Sequence, residues 1–436
     1  MSHIKRVSRF IFFLQAFALA AVVAGFPLAA AFSQTIEVSS TPFSIGIRGL
    51  SALACAMLLV ISVPWTRGRI RWWLVATLVG FWILYLLRMT NDTTKASYTL
   101  MAEPSNYWLW AIGGSLVPLL GLARARFDAF DANGYFNWCF AFVISASFLV
   151  LPNMSTMVET DYGGYEGGRA ALTALNPISL GHLGVQLVLL CTWGLFLRAG
   201  EKSRYMKLLF VIGGLLGAYL ALAANSRGPL VSLVVALMLA AIASNLRSKY
   251  WLIGLMTLVA AAFVPIVALV DKVAGTQVYD RLLGQSQFDE VNTLSRLDLY
   301  ASAWAQFAKF PLTGYGLEDP VFGGYPHNLV IEAFMATGIF GGLMMLAIII
   351  LTLTLAYRVM RDIPNFGWLA LLVVQQVIAA QFSGSINQAT ILWGVLGALV
   401  STSALGITAG SKLTPAPRTD ESSPHAAGAQ TADALG

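Results

Sequence analysis

A histidine and two arginines are the side chains of this sequence best suited to chemistry at a membrane surface. His327 stands directly before a long apolar run, and an unperturbed imidazole pKa of about 6.5 leaves much of it neutral and able to accept a proton. Arg227 occupies a tight turn between two apolar segments, where its guanidinium could hold a phosphate or diphosphate group. Arg296 begins a stretch with helical periodicity that leads towards His327. We predict these three residues as catalytic candidates.

Each candidate also has a purely structural interpretation. Arg227 could extend to the interface and pair with lipid headgroup phosphates. Arg296 could be a solvated charge near Asp298, and His327 could simply precede the helix that follows it. The residues alone leave both interpretations open.

Three residues near His327 are predicted to contact substrate, together with Arg48 of the second apolar segment. Asn328 directly follows His327, and Tyr325 precedes it by two positions. Glu332 lies one turn into the next apolar segment, where an ionisable side chain is a functional hypothesis by default. It could orient His327, pair with Arg48 of the second apolar segment, or extend to the interface.

An amphipathic helix is predicted to position Arg296. Ser295 and Asp298 are expected to cap its start, and Pro311 with the glycine-containing turn 314–316 is expected to end it. Its apolar face consists of Leu297, Tyr300, Ala301, Trp304 and Phe307.

Small residues inside the apolar segments are predicted to serve packing. The glycines after His327 are expected to let another helix approach closely; they are Gly338, Gly341 and Gly342. The cysteines all lie in apolar runs and are expected to be packing residues rather than disulfides or metal ligands; they are Cys55, Cys139 and Cys191.

The composition is that of a membrane protein. Of 436 residues, 57% are hydrophobic and only 11% are charged, against about 25% charged in a soluble domain. Twelve apolar segments recur along the chain, and inside a bilayer they must be helices. We therefore predict an all-α polytopic protein with about twelve transmembrane helices. The segments are 10–32, 43–65, 72–87, 105–123, 136–152, 178–197, 208–224, 229–246, 251–270, 329–357, 368–384 and 390–408.

The polar segments divide the chain and orient it. We distinguish an N-terminal transmembrane bundle (1–207), a second transmembrane region (208–408) with a long loop (271–328), and a disordered tail (409–436). Of the 27 lysines and arginines, 18 lie on the side of the N-terminus. The positive-inside rule therefore predicts that both termini are cytoplasmic and that the long loop is external. This distribution also argues against nucleic acid as the partner of a chain with net charge +6.

These residues resemble the O-antigen ligase and O-antigen polymerase superfamily of bacterial membrane glycosyltransferases. His327-Asn328, nine residues and Gly338-x-x-Gly341 match the ligase motif His-[Asn/Ser/Gln]-x9-Gly-x-x-Gly. The segment Phe310-Pro311-Leu312-Thr313-Gly314-Tyr315-Gly316 is similar to the approach to that histidine. The sequence around Arg227 is similar to the family's Arg-x3-Leu motif, with valine at 231 and leucine one place earlier.

The resemblance implies a fold like that of the C class of glycosyltransferases, with the catalytic region in 208–408. It implies transfer of a glycan from undecaprenyl diphosphate to an acceptor hydroxyl at the periplasmic face of the inner membrane, among membrane lipids. The histidine would activate the acceptor, and the arginines would hold the diphosphate. Neither a nucleotide sugar nor an essential metal, and so no cofactor, would be needed.

Two activities within this superfamily, and one outside it, stay open at this stage. A ligase would use lipid A-core as acceptor, and a polymerase would use a second lipid-linked glycan; the complete histidine motif favours the ligase. A transporter of lipid-linked glycans would need charged residues along a mid-membrane path and paired broken helices. Arg48 and Glu332 are the only charged residues within the predicted apolar segments, so we favour an enzyme.

Overall fold

The regular secondary structure of the described residues is helical. A computed structural model describes residues 2–62, 69–95, 100–127, 131–154, 170, 172, 174–198, 203–243 and 287–411, with isolated positions between 250 and 272. Within these residues the only bridge of the β type joins Leu172 to Leu175. The all-α prediction is therefore confirmed.

The helices are numbered here in chain order. Two stretches of π-helix continue the α-helices. Leu109–Leu116 joins α4 to α5, and Trp193–Leu197 follows α7. The helices are α1 (Ser2–Thr35), α2 (Ser40–Ile61), α3 (Arg69–Thr94), α4 (Pro104–Trp108), α5 (Val117–Arg124), α6 (Ala132–Val150), α7 (Pro177–Thr192), α8 (Arg204–Ala223), α9 (Arg227–Ala243), α10 (Gln287–Lys309), α11 (Leu329–Asp362), α12 (Gly367–Ala379) and α13 (Thr390–Ser411).

Seven described helices are long and apolar enough to cross a membrane: α1, α2, α3, α6, α7 with its π-helical end, α8 and α11. Three shorter apolar helices, α9, α12 and α13, occupy three more of the predicted segments. The predicted segment 105–123 is helical from α4 through α5, with its centre in the π conformation. Most of the predicted segment 251–270 and most of residues 271–286 of the long loop lie outside the described residues, as does the tail beyond 411. The protein is thus a multi-pass membrane protein, and the number twelve remains a prediction.

The helices pack into one continuous apolar interior. Buried side chains of every numbered helix except α10 belong to a single cluster, and the three cysteines are free and buried within it, as expected. Close approach depends on small residues: a Cβ at Gly121 of α5 would lie 2.3 Å from the Cys55 carbonyl oxygen of α2. The division at residue 207 remains an expectation, because α3 of the N-terminal bundle packs directly on α11.

The amphipathic helix α10 differs in part from its prediction. It begins at Gln287, so the predicted cap at Ser295 and Asp298 is wrong; residues 287–294 contain no glycine or proline that would stop the helix. Its end at Lys309, two residues before Pro311, agrees with the prediction. Phe307 packs on Phe334 of α11 with ring centroids 5.1 Å apart.

Candidate functional site

His327 ends the loop that joins α10 to α11. It is half-buried, and the Tyr325 ring packs against its imidazole with centroids 4.6 Å apart. The backbone of His327 has a φ of +53°, in the left-handed region that a residue with a side chain rarely adopts. Such a conformation persists only where its surroundings impose it, and it is concentrated at functional sites. The fold thus places Tyr325 against His327, and a contact of Tyr325 with substrate remains a prediction.

The surroundings of His327 keep its imidazole neutral. Burial lowers the pKa of His327 to about 4, and the nearby Arg296 guanidinium acts in the same direction. Arg296 itself lies on the exposed side of α10. At neutral pH the imidazole is thus unprotonated beside a fixed positive charge. Such a pair can accept a proton and face an anion at the same time.

Asn328 serves as the N-cap of α11. Its side-chain oxygen accepts hydrogen bonds from the backbone N–H groups of Val330 and Ile331, both at 3.0 Å. Its side-chain nitrogen donates to the Gln381 carbonyl at 3.0 Å. Both ends of the amide are engaged within the protein, which fixes the backbone directly after His327. A contact of Asn328 with substrate remains a prediction.

The turn after α12 connects this loop to Arg227. Arg227 is exposed at the start of α9, and a Cβ on the adjacent Gly228 would lie 3.3 Å from the Cβ of Phe382. Phe382 follows Gln381, the residue that bonds Asn328. The turn 380–382 therefore touches both the start of α9 and the start of α11. Arg227 and His327 thus lie at the same end of the bundle, as their predicted topology requires.

Glu332 is engaged by residues that sequence analysis did not consider. It is 1% exposed, and its carboxylate accepts hydrogen bonds from the Ile386 N–H at 3.1 Å and from the Tyr85 hydroxyl at 3.4 Å. Arg48 lies on the exposed side of α2, with its guanidinium 4.3 Å from the centre of the Phe26 ring. The hypothesis that these two residues pair is therefore wrong, and so is an extension of Glu332 to the interface. Their roles towards substrate remain predictions.

Helix α11 is broken at the first glycine of the histidine motif. Gly338 has φ 71° and ψ −164°, a conformation open essentially only to glycine. The turn after α10 docks at the break: the Ile339 N–H donates to the Pro311 carbonyl at 2.8 Å, and the Tyr315 N–H to the Met335 carbonyl at 2.7 Å. A Cβ at Gly338 would lie 2.4 Å from the Leu312 carbonyl oxygen.

At Gly338, the prediction that these glycines admit another helix is therefore wrong. The backbone of the 311–312 turn fills the space at Gly338. Side chains of α11 itself fill the space at the other two, where a Cβ would meet Thr337 at Gly341 and Phe334 at Gly342. Spacing alone cannot distinguish a glycine that accommodates a helix from one that accommodates a loop.

Acidic residues organise the loop that leads to His327. One Glu318 oxygen accepts a hydrogen bond from the Met101 N–H at 2.9 Å, and the other from the Tyr107 hydroxyl of α4. One Asp319 oxygen accepts from the N–H groups of Val321 and Phe322. Among the described residues, no three His, Cys, Asp or Glu side chains form a potential metal site.

The polar residues of α3 were not among the predicted site residues. The predicted apolar segment ends at 87 and residues 88–104 were expected to form a loop, whereas α3 continues to Thr94 and carries Tyr85, Arg88 and Asp92 inwards. Their spacing of three and four residues places them on one helix face. That stripe of polar residues in an apolar helix was the available signal.

Comparison with known proteins agrees with the motif. Residues 212–346 match the O-antigen ligase family, a span that includes Arg227, Arg296, His327 and the motif glycines. The resemblance to the O-antigen ligase superfamily, whose members are glycosyltransferase-type enzymes, is thereby confirmed over this part of the chain. No curated protein and no solved structure matches the chain. The helix α3 lies outside the matched residues.

Proposed function

We propose that this protein is a glycosyltransferase of the ligase type, which moves a glycan from undecaprenyl diphosphate to a hydroxyl of lipid A-core. The observation that carries the proposal is His327 itself, half-buried in a left-handed backbone conformation within the family-matched residues, with the Arg296 guanidinium close enough to lower its pKa. The acceptor hydroxyl must lose a proton while the diphosphate gains negative charge. A positioned base and fixed cations favour those two changes.

The simplest mechanism is a direct displacement with inversion, without a metal. The acceptor oxygen attacks the anomeric carbon opposite the diphosphate, and the bond from that carbon to the diphosphate oxygen breaks. His327 takes the hydroxyl proton and later releases it to water. The electron pair leaves with the diphosphate, whose charge Arg227 and Arg296 stabilise. Tyr325, packed on His327, is proposed to contact the sugar.

The distribution of basic residues supports an orientation for this mechanism. The excess of lysine and arginine on the side of the N-terminus favours cytoplasmic termini. The loop with His327 then faces the periplasm of the inner membrane, the compartment in which both lipid-linked substrates would be presented.

A complementation experiment tests this function. The wild-type protein and the variants His327→Ala, Arg227→Ala and Arg296→Ala are expressed in a host deleted for the gene, and surface glycans are separated on gels. For a ligase, we expect wild type to restore glycan on lipid A-core. The variants should leave free lipid A-core while polymer accumulates on its carrier.

Arg361→Ala provides a matched control, because Arg361 is an arginine with a side chain 64% exposed at the far end of α11. This variant should behave as wild type. Single repeats in place of long chains in the deleted host would identify a polymerase instead. Full activity of His327→Ala would refute the assignment of the base.

A further inference from the structure

Three residues of α3 reach from the N-terminal bundle into the loop and helix that present His327. We call Tyr85, Arg88 and Asp92 the α3 stripe. The Tyr85 hydroxyl donates to Glu332 of α11 at 3.4 Å, and Asp92 accepts a hydrogen bond from the Leu317 N–H at 2.9 Å. Arg88, between them, makes the largest number of these contacts. The stripe therefore connects a helix outside the family-matched residues to the candidate site.

The Arg88 guanidinium has no N–H group left for a substrate. A guanidinium offers five N–H donors in a fixed plane. Nε donates at 2.8 Å to a carbonyl of α11, and Nη1 and Nη2 donate to three carbonyls of the turn after α10 and to one carboxylate. The acceptors are Ala336 for Nε, Tyr315 at 3.1 Å and Asp92 at 3.4 Å for Nη1, and Gly314 at 2.8 Å and Thr313 for Nη2. Because every donor is used, Arg88 cannot also bind a diphosphate.

One of these acceptors, the Ala336 carbonyl, lies at the break in α11. The first segment of α11 ends at Thr337, before Gly338, and the Ile339 N–H donates to the Pro311 carbonyl instead of to the Met335 carbonyl four residues earlier. Arg88 donates a hydrogen bond to the Ala336 carbonyl, and the Tyr315 N–H donates one to the Met335 carbonyl. A cation at the end of a helical segment is also favoured by the helix dipole. Arg88, whose side chain is 13% exposed, is charge-paired there with Asp92.

We propose that Arg88 is a positioning residue, which holds the turn 313–315 on the end of the first α11 segment and thereby fixes the loop that carries His327. The catalytic role of this loop rests on the function proposed above. The N-terminal bundle then takes part in catalysis through α3. A lysine cannot replace Arg88, since a single ammonium cannot reach acceptors distributed around a plane.

Hydrogen exchange on the full-length protein tests the contact without reference to activity. In Arg88→Ala, we expect backbone amides of residues 313–317 to exchange at least about tenfold faster than in wild type, because about 1.4 kcal/mol of lost stability corresponds to that factor. Arg88→Lys should be close to Arg88→Ala. Arg124→Ala is the control: Arg124 donates to the Ser62 carbonyl at the other end of the bundle, at 2.9 Å. It should leave this exchange unchanged.

Kinetics on the same preparations test the consequence. The donor is carrier-linked glycan extracted from the deletion host. For Arg88→Ala we expect kcat to fall about 100-fold, as for a displacement of the site by about 1 Å, with little change in KM for the donor. Unchanged exchange would refute the contact, and faster exchange with unchanged kcat would refute positioning. A raised KM with unchanged kcat would make Arg88 a binding residue, which also overturns the proposal. If the wild type transferred no glycan, the function above would fail, while the exchange result would still decide whether Arg88 holds the loop.

Discussion

Replacement of Gly338 by alanine is expected to displace the turn that docks at the break in α11. The backbone at φ 71° and ψ −164° costs about 1 to 3 kcal/mol for a residue with a side chain. The new Cβ would also lie 2.4 Å from the Leu312 carbonyl oxygen, whereas non-bonded atoms prefer about 3.5 Å. The docked turn must therefore retreat by about 1 Å.

A shift of that size at the turn should lower glycan transfer by about 100-fold. Transfer is measured with purified protein and carrier-linked donor, and the melting temperature of the protein is measured in the same detergent. We expect both quantities to fall, because the strain is in the backbone and no side-chain rotation relieves it.

A glycine with room for a methyl group serves as the matched control. A Cβ at Gly214 of α8 would lie 3.7 Å from the Cys191 Cβ, an ordinary contact, so Gly214→Ala should be neutral or slightly stabilising. Equal activity of Gly338→Ala and Gly214→Ala would refute the docking of the turn at the helix break.

Two further predictions concern His327 and its neighbour. Because burial and Arg296 lower the pKa of His327 to about 4, and because the base must be neutral, kcat/KM should stay level below pH 6.5 and fall only as the pH approaches about 4. Arg296→Ala removes one cause of the lowered pKa, so the acidic limb of its pH profile should move to higher pH, whereas Arg296→Lys should keep it in place. Asn328→Ala removes the cap of α11 and should destabilise the protein by about 1 kcal/mol in thermal unfolding, whereas Asn328→Ser should retain most of the stability.

Much of the fold follows from local sequence alone. Apolar runs of membrane-spanning length dictate helices, since no other structure satisfies the backbone there, and α1 to α3 and α6 to α8 appear where the runs do. The starts of α9 at Arg227 and of α11 after Asn328 also follow from short-range signals. The position of each helix start depends on residues close by in the sequence. The histidine motif, which lies at such a start, could therefore be recognised without the tertiary structure.

The arrangement of the candidate site depended on contacts between residues distant in the chain. Arg88 and Tyr315 are 227 positions apart, and Tyr85 and Glu332 are 247 apart. No local pattern predicts which tyrosine a buried carboxylate will contact, so Tyr85 was not among the partners considered for Glu332. The choice is made when the helices pack, because each buried polar group must then find a donor or acceptor within reach.

The sequence by itself thus determined that this is a helical membrane protein with His327 at the head of a helix and a family motif around it. Only the tertiary structure decided that the motif's first glycine breaks this helix, and that Arg88 of α3 bonds the Ala336 carbonyl beside the break and the turn docked there. Helix formation is governed by the residues within a turn or two. The partners of a broken helix end are governed by whichever element the packing brings alongside.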